Sequence, residues 1–180
     1  MIFTLTGFMG CGKTSYGRLA ARQAGCAFLD LDEEIARSTG RSIPSIFRSE
    51  GEEGFRRIEA AALMDAIGSY TEGTLLIALG GGTLGSPASR ELIRACSHCI
   101  YLKASPETIA RNLREQAGTS DDAVIAAARP KLAGPGTLEQ KIAALMEERL
   151  DTYESAAVYT VDTDEKSPDS IVGAISGIIG

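Results

Sequence analysis

The residues best suited to chemistry lie near the start of the chain, where residues 7–14 read GFMGCGKT and fit the pattern G-x-x-x-x-G-K-[ST]. Glycines let the backbone wrap closely, so that several N–H groups face one phosphate, and the next helix offers its positive N-terminal end. At this spacing Lys13 reaches the β- and γ-phosphates, and the Thr14 hydroxyl binds magnesium. A glycine turn can match by chance, but here the pattern follows a predicted strand and opens a predicted helix. We therefore expect nucleotide phosphates and Mg²⁺ to bind here.

Two carboxylates end the second predicted strand, at Asp30 and Asp32. Side chains two positions apart point the same way from a strand, so both would project beside the phosphate loop, where open α/β sheets bind ligands. One carboxylate can support the magnesium shell, while the other accepts a hydroxyl hydrogen bond and helps to deprotonate it. Alternatively, Asp32 caps the following helix. The segment alone leaves both interpretations open, and they are compatible.

A pair of arginines, Arg56 and Arg57, lies on a predicted helix. Neighbouring helix residues point about 100° apart, so one arginine can bind an anionic substrate while the other is solvated. For either arginine taken alone, an exposed side chain paired with Glu53 or Glu59 is the better interpretation.

Three consecutive glycines, at residues 80–82, directly follow the apolar strand predicted over residues 74–79. Glycines at the end of a core strand allow a ligand to lie against bare backbone. A simple flexible turn is the alternative, but the position immediately after a core strand favours a ligand.

Short apolar segments alternate with helical patterns along the chain, which predicts a parallel sheet covered on both faces, a three-layer α/β/α domain with five strands. Strands are predicted over residues 2–6, 27–31, 74–79, 99–102 and 158–162. Helices are predicted over residues 13–24, 32–38, 52–67, 87–96, 138–153 and 170–179, and one more opens at Pro106. Residues 115–136 are polar, then alanine-rich, then carry proline and glycine, which is typical of a lid or a disordered loop.

The totals restrict the class of protein. A length of 180 residues fits one domain, and the net charge of −6 argues against general binding to nucleic acid or to anionic membranes. Apolar stretches stay well short of the roughly 20 residues of a membrane helix. The first residues lack the basic and cleavage-site pattern of a signal peptide, so we expect a cytoplasmic protein.

Together these segments resemble the shikimate kinases, small P-loop kinases of the nucleoside-monophosphate-kinase type. The resemblance runs through nearly the whole chain and rests on the phosphate loop, the Asp30-x-Asp32 pair, residues 40–43, residues 55–59, the triple glycine, Arg129-Pro130, and Arg149 four residues before Tyr153. One departure is that Lys131-Leu132 follows Arg129-Pro130, where the family often has two leucines. The departure adds a cation near the nucleotide.

The resemblance implies one P-loop kinase domain over residues 1–180, with substrate-binding helices over about 32–67 and a mobile lid over about 115–136. It implies a monomer that transfers the γ-phosphoryl group of ATP to the 3-hydroxyl of shikimate with Mg²⁺, in chorismate and aromatic amino acid biosynthesis. The implied catalytic residues are Lys13, Asp32 and Arg129, and the implied metal-binding residues are Thr14 and Asp30. The implied ATP-binding residues are Gly10, Cys11, Gly12, Lys13, Thr14, Ser15, Arg111, Arg129 and Pro168. The implied shikimate-binding residues are Asp32, Arg56, Gly80, Gly81, Gly82 and Arg149.

Two other functions stay in view. Another small-metabolite kinase, such as one acting on gluconate, is disfavoured by Arg56 and Arg149 together with the triple glycine. A nucleotide-binding regulatory module without acceptor chemistry is disfavoured because Lys13, Asp32 and Arg129 are all present.

Overall fold

The computed structural model describes residues 1–180 except for the side chain of Pro130. Its sheet has five strands in the order β2-β3-β1-β4-β5, and every neighbouring pair is parallel. The strands are β1 (Ile2–Thr6), β2 (Ala27–Asp30), β3 (Leu75–Ala78), β4 (His98–Lys103) and β5 (Tyr159–Asp162). The predicted five-stranded parallel sheet is confirmed.

Helices connect the strands on both faces of the sheet. They are α1 (Lys13–Ala24), α2 (Leu31–Thr39), α3 (Ile43–Ser69), α4 (Pro87–Cys96), α5 (Pro106–Ala117), α6 (Asp122–Ala127), α7 (Leu138–Ala156) and α8 (Pro168–Ile179). The prediction missed the first part of α3, which Ser42 caps and which breaks at Gly51 (φ 68°, ψ −175°). Glycine at this break interrupts the helical periodicity, so the sequence pattern becomes regular only beyond it.

The segment predicted as a lid or loop contains regular structure. Its alanine-rich part forms α6, and a 3₁₀ turn follows over Pro130–Leu132. Ile125 and Leu132 are fully buried, so the segment packs against the domain. Arg114 also ties the segment to its neighbours, because its guanidinium contacts Asp122 at 2.9 Å and Glu139 at 2.7 Å.

Side chains alternate between the two faces of the sheet, and each face has its own core. In β4, Ile100 and Leu102 pack beneath α1, α5 and α8, while Cys99 and Tyr101 pack beneath α2, α3 and α4. Helix α7 contributes to both cores, since Ile142 lies in the first and Tyr153 in the second. Burial on both faces explains why the strands read as continuous apolar runs.

The order of the strands decides where a ligand can bind. β1 lies between β3 and β4, and Asp30 at the end of β2 is level with Ala78 of β3, which in turn pairs with Leu5 of β1. The loops after these three strands therefore meet at one edge, the usual site for ligands in open α/β sheets.

Within the residues that the structure describes, none of the helices is both long enough and apolar enough to span a membrane.

Candidate active site

The phosphate loop connects β1 to α1 and presents the start of that helix without a side-chain cap. Gly12 at the N-cap has φ 94°, and no side chain of the described chain accepts a hydrogen bond from the first turn. Each of the other α-helices has such a cap, provided by Asp30, Ser42, Ser86, Ser105, Asp121, Thr137 or Ser167. The N–H groups at the start of α1 are therefore left for an anion, together with the positive end of the helix dipole.

Lys13 lies at the centre of this loop and is nearly buried. Its ammonium donates hydrogen bonds to the carbonyl oxygens of Gly7 at 2.8 Å and Phe8 at 2.9 Å. The third donor approaches the sulfur of Cys11 at 3.8 Å, a weak acceptor that a phosphate oxygen would readily replace. The loop thus holds one positive charge where a nucleotide would place its phosphates.

A residue that no sequence motif identifies also shapes this loop. The side-chain amide of Asn112, on α5, donates to the carbonyl oxygen of Gly10 at 2.9 Å. No motif marks Asn112, because its role depends on the position of α5 against the loop, a contact between residues 102 positions apart.

Asp30 connects the phosphate loop to α2. The Thr14 hydroxyl donates to Asp30 Oδ2 at 2.6 Å, and Asp30 Oδ1 accepts the backbone N–H groups of Asp32 and Glu33. The suggestion that Asp32 caps the following helix was therefore wrong, since the cap is Asp30. Asp32 also does not extend from the strand, because β2 ends at Asp30 and Asp32 lies in the first turn of α2.

The oxygens of Thr14 and Asp30 suit Mg²⁺, which typically takes one or two carboxylates and completes its shell with phosphate oxygens and water. Elsewhere in the described residues no group of three or more His, Cys, Asp or Glu side chains is arranged to hold a metal ion. A magnesium ion at Thr14 would therefore depend on the nucleotide for much of its coordination.

Asp32 faces the cleft between the phosphate loop and the triple glycine. Asp32 is an exposed residue as a whole, but neighbouring protein atoms desolvate its carboxylate, and this desolvation raises the pKa of Asp32 to about 6. The negative charges of Asp30 and Glu59 act in the same direction and outweigh the nearby cations. A carboxylate with a pKa near 6 is a suitable acceptor for a hydroxyl proton close to neutral pH.

The structure separates Arg56 from Arg57, which the helical pattern alone did not distinguish and of which the resemblance implied Arg56. Arg57 is exposed and pairs with Glu53 at 3.1 Å on the surface. Arg56 turns inward and contacts Glu59 Oε2 at 2.5 Å. Glu59 is fully buried, and its other oxygen accepts the Thr83 hydroxyl at 2.7 Å. Arg56 therefore pairs with glutamate and also faces the cleft, while its binding of an anionic substrate stays a prediction.

The triple glycine has no space for side chains. A Cβ on Gly80 would lie 2.9 Å from Glu59 Oε1 and 3.2 Å from Asp32 Oδ1, and one on Gly82 would overlap the guanidinium of Arg56. These contacts show that Gly80 and Gly82 bring bare backbone against the charged groups of the cleft, while Gly81 lies against the backbone of Met9.

Two side chains from α7 hold the same backbone in place. Arg149 donates to the carbonyl oxygen of Gly81 at 3.0 Å, and the hydroxyl of Tyr153 donates to the same oxygen at 2.7 Å. We call this surface the arginine–glycine wall, formed by residues 80–82 with Arg56, Arg149 and Tyr153. The sequence identified the arginines and glycines, but Tyr153 and the supporting Glu59 were not predicted as site residues.

The wall borders a cavity of about 480 Å³, lined by Arg56, Gly81, Gly82, Arg149 and Tyr153, with Arg90 and Glu148 also on its lining. Guanidinium groups bind carboxylates with two parallel hydrogen bonds. Bare backbone beside them accommodates a flat or ring-shaped molecule. The wall can therefore hold a small organic anion. Asp32 is not among the residues that line this cavity, and it lies beside the wall next to Gly80.

Three predicted nucleotide-binding residues lie away from this cluster. Arg111 is exposed on α5, close enough to Asp164 for their charges to interact, and Pro168 opens α8 directly after Ser167. Arg129 is half-buried between α6 and the 3₁₀ turn. Across the described part of the chain, its side chain forms no hydrogen bond with the other predicted site residues.

Comparisons with known proteins find relatives over nearly the full length. The profile of the shikimate kinase family matches residues 9–179. A shikimate kinase of Thermus thermophilus is 40% identical over 172 residues, which span 96% of this chain and 86% of the relative. Among solved structures, shikimate kinase from Acinetobacter baumannii in complex with shikimate is similar with a TM-score of 0.82 and 32% identity, covering 98% of this chain and 91% of that one.

A gluconokinase from Sinorhizobium meliloti is also similar, with a TM-score of 0.60 and 17% identity over 97% of this chain and 89% of that one. At this identity the likeness concerns the fold alone. Kinases with different acceptors share the fold, so the acceptor must be identified from the side chains of the cleft.

Proposed function

Because the chain belongs to the shikimate kinase family, we propose that it transfers the γ-phosphoryl group of ATP to the 3-hydroxyl of shikimate, giving shikimate 3-phosphate and ADP. It is a phosphotransferase with an alcohol acceptor, and it acts in chorismate and aromatic amino acid biosynthesis. The observation that carries the proposal is the position of Asp32, between an uncapped helix start and the arginine–glycine wall.

ATP binds through the phosphate loop in this proposal. The backbone N–H groups of residues 10–15 surround the phosphates, and Lys13 neutralises the charge that develops during transfer. The exposed Arg111 and the segment at Pro168 lie on either side of the adenine. Asp164 supports this assignment, because it accepts hydrogen bonds from Ser105, which tie the loop before α5 to the loop before α8, and lies close enough to Arg111 for their charges to interact.

Mg²⁺ binds at Thr14 and Asp30 and supplies charge neutralisation at the phosphates when it is present. The 2.6 Å contact between these two side chains supports their sharing one ion. Asp30 also caps α2, so the residue that supports the metal fixes the helix that carries Asp32.

Shikimate binds at the arginine–glycine wall with its carboxylate between Arg56 and Arg149. Its ring lies against residues 80–82, and its 3-hydroxyl donates to Asp32. Asp32 accepts the proton as the hydroxyl attacks, and its pKa near 6 leaves it ionised at neutral pH. Shikimate has a carboxylate and ring hydroxyls, so it matches both the arginines and the carboxylate of this cleft.

Residues 115–136 act as a lid that carries Arg129 to the transferring phosphoryl group. Closing such a lid excludes water and limits wasteful hydrolysis of ATP. A cytoplasmic monomer that does not bind nucleic acid or membranes remains our expectation, and the net charge of −6 is consistent with it.

A substrate panel in a coupled ADP assay tests the function. We expect ADP release to depend on shikimate and the product to carry phosphate at the 3-hydroxyl. Turnover of gluconate without turnover of shikimate would favour the other kinase activity. ATP binding without ADP release for any acceptor would favour a regulatory module.

A further inference from the structure

The predicted lid segment contacts the substrate side of the cleft through one ion pair. Lys131, in the 3₁₀ turn after α6, places its ammonium 2.8 Å from Glu52 Oε2 on α3, across 79 positions of sequence. Both side chains are about half exposed, at 48% and 52%. Lys131 is also the residue at which this sequence departs from the family pattern, since the family often has leucine at this position.

Glu52 is shared by two cations. Its other oxygen, Oε1, lies 3.7 Å from Arg56 Nη2, and Arg56 continues the series to the buried Glu59. The hydrogen bond from Lys131 is the main cause that keeps the pKa of Glu52 below its usual value. Alternating charges thus run from Lys131 in the predicted lid to Arg56 in the arginine–glycine wall.

Glu52 also follows the break in α3 directly. Gly51 has φ 68° and ψ −175°, a conformation that favours glycine, and no other atoms lie near the position of a Cβ on this residue. The break gives the segment around Glu52 some freedom from the first part of the helix.

We propose that Lys131 is a positioning residue that couples placement of the lid to the binding of shikimate, through Glu52 and Arg56. The inference rests on the proposed function, in which Arg56 binds the shikimate carboxylate. A bound carboxylate draws the guanidinium away from Glu52, so Glu52 interacts more strongly with Lys131. Because Lys131 lies two residues after Arg129, this interaction favours one placement of the lid segment that carries Arg129, and nucleotide and shikimate then favour each other's binding.

The test measures the dissociation constant of shikimate by calorimetry, with and without saturating Mg·ADP. The ratio of the two constants is the coupling factor. We expect Lys131→Met to reduce the factor about two- to fivefold, the range of exposed ion pairs. Lys131→Arg keeps the charge and should retain the factor. Raising the salt to about 0.5 M should bring the wild type close to the Met variant, since exposed charges are screened.

Lys103→Met is the matched control, because Lys103 is 50% exposed and pairs with Glu154 at 3.7 Å, outside the predicted lid. It should keep the wild-type factor. In a Glu52→Gln background, Lys131→Met should have no further effect, since its partner is already lost. A wild-type factor of one, an unchanged factor in Lys131→Met, or an equal loss in Lys131→Arg would each overturn the inference. Loss of the proposed function is recognised separately, as absence of shikimate-dependent ADP release by the wild type.

Discussion

The two sides of the cleft both depend on glycine, but for different physical reasons. In the phosphate loop, Gly12 has φ 94°, a backbone conformation that other residues rarely adopt. In the arginine–glycine wall, Gly82 has an ordinary φ of −120°, but a Cβ there would overlap the guanidinium of Arg56. The loop requires glycine for its conformation as well as for space, since a Cβ on Gly12 would lie 2.4 Å from the ring of Tyr16, whereas at Gly82 the requirement is for space alone.

The difference shows how each side is built. The phosphate loop is one continuous segment whose backbone N–H groups and single lysine do the binding. The wall is assembled from α3, the turn after β3, and α7, and its binding groups are side chains. Changes in the loop should therefore affect the nucleotide, and changes in the wall should affect the acceptor.

The largest expected effect tests the loop. Lys13→Met removes the only charge that the loop itself contributes, and we expect kcat to fall about 10²–10³-fold, as for loss of a preorganised donor. The dissociation constant of shikimate should stay within twofold. Kinetics of ADP release and calorimetry with shikimate measure the two quantities. A comparable loss of shikimate affinity would mean that the two sides of the cleft are not independent.

The next effect tests the wall with a matched pair of substitutions. Arg56→Lys keeps a cation beside the buried Glu59 but loses the guanidinium fork, so KM for shikimate should rise about 10–100-fold. KM for ATP should change little. Arg57→Lys is the control, since Arg57 is exposed and should leave both constants unchanged. Equal effects of the two substitutions would refute the assignment of Arg56.

A comparison of two glycine substitutions tests the distinction itself. Gly12→Ala should raise KM for ATP and lower the free energy of unfolding by at least about 1–2 kcal/mol, the cost of a left-handed residue, because the new Cβ would also overlap the ring of Tyr16. Gly82→Ala should raise KM for shikimate about tenfold, as for a weakened charge-assisted bond, with little change in stability.

Gly68→Ala serves as the control for both, because Gly68 lies in α3 with no atoms near a Cβ and no left-handed φ. Its kinetics should match the wild type. Urea unfolding and the two KM values check this set. A large loss of stability in Gly82→Ala would show that the wall glycines also serve the backbone.

The pH dependence tests Asp32, which faces both sides. Its folded pKa of about 6 lies above the ordinary value near 4, so the ionised base is lost as pH falls through 6. We expect kcat/KM to fall up to about tenfold per pH unit below that point. The raised pKa also means that the free energy of unfolding decreases as pH rises from about 4 to about 6, because only the folded state still holds the proton there. Asp32→Asn should remove this decrease. A carboxyl NMR titration with a midpoint near 4 would contradict both expectations.

The smallest expected effect concerns Tyr153. Tyr153→Phe keeps the ring in the core but loses the hydrogen bond to Gly81, so KM for shikimate should rise about two- to tenfold. Tyr101→Phe is the control, because Tyr101 stacks on Tyr153 but belongs to the sheet. Steady-state kinetics with varied shikimate measure the change, and an unchanged KM would show that Arg149 holds Gly81 sufficiently by itself.

The sequence by itself determined the parallel α/β fold and the phosphate loop. Both depend on short-range patterns, namely apolar strands that alternate with helices and a glycine-rich turn before a lysine. It also identified the triple glycine and the arginines. The helical pattern did not distinguish Arg56 from Arg57, and only the family resemblance implied Arg56. It offered Asp32 as one possible helix cap and did not identify Asp30, the actual cap, because the end of β2 is not marked by any residue type.

Only the tertiary structure decided these points, because each depends on contacts between distant segments. Glu59 and Thr83 fix the orientation of Arg56 across 24 positions, and Tyr153 reaches Gly81 across 72. Asn112 supports the loop, and Lys131 reaches Glu52, only once the helices are packed. A sequence pattern shows which groups are available, while packing decides which of them meet and which remain in solvent.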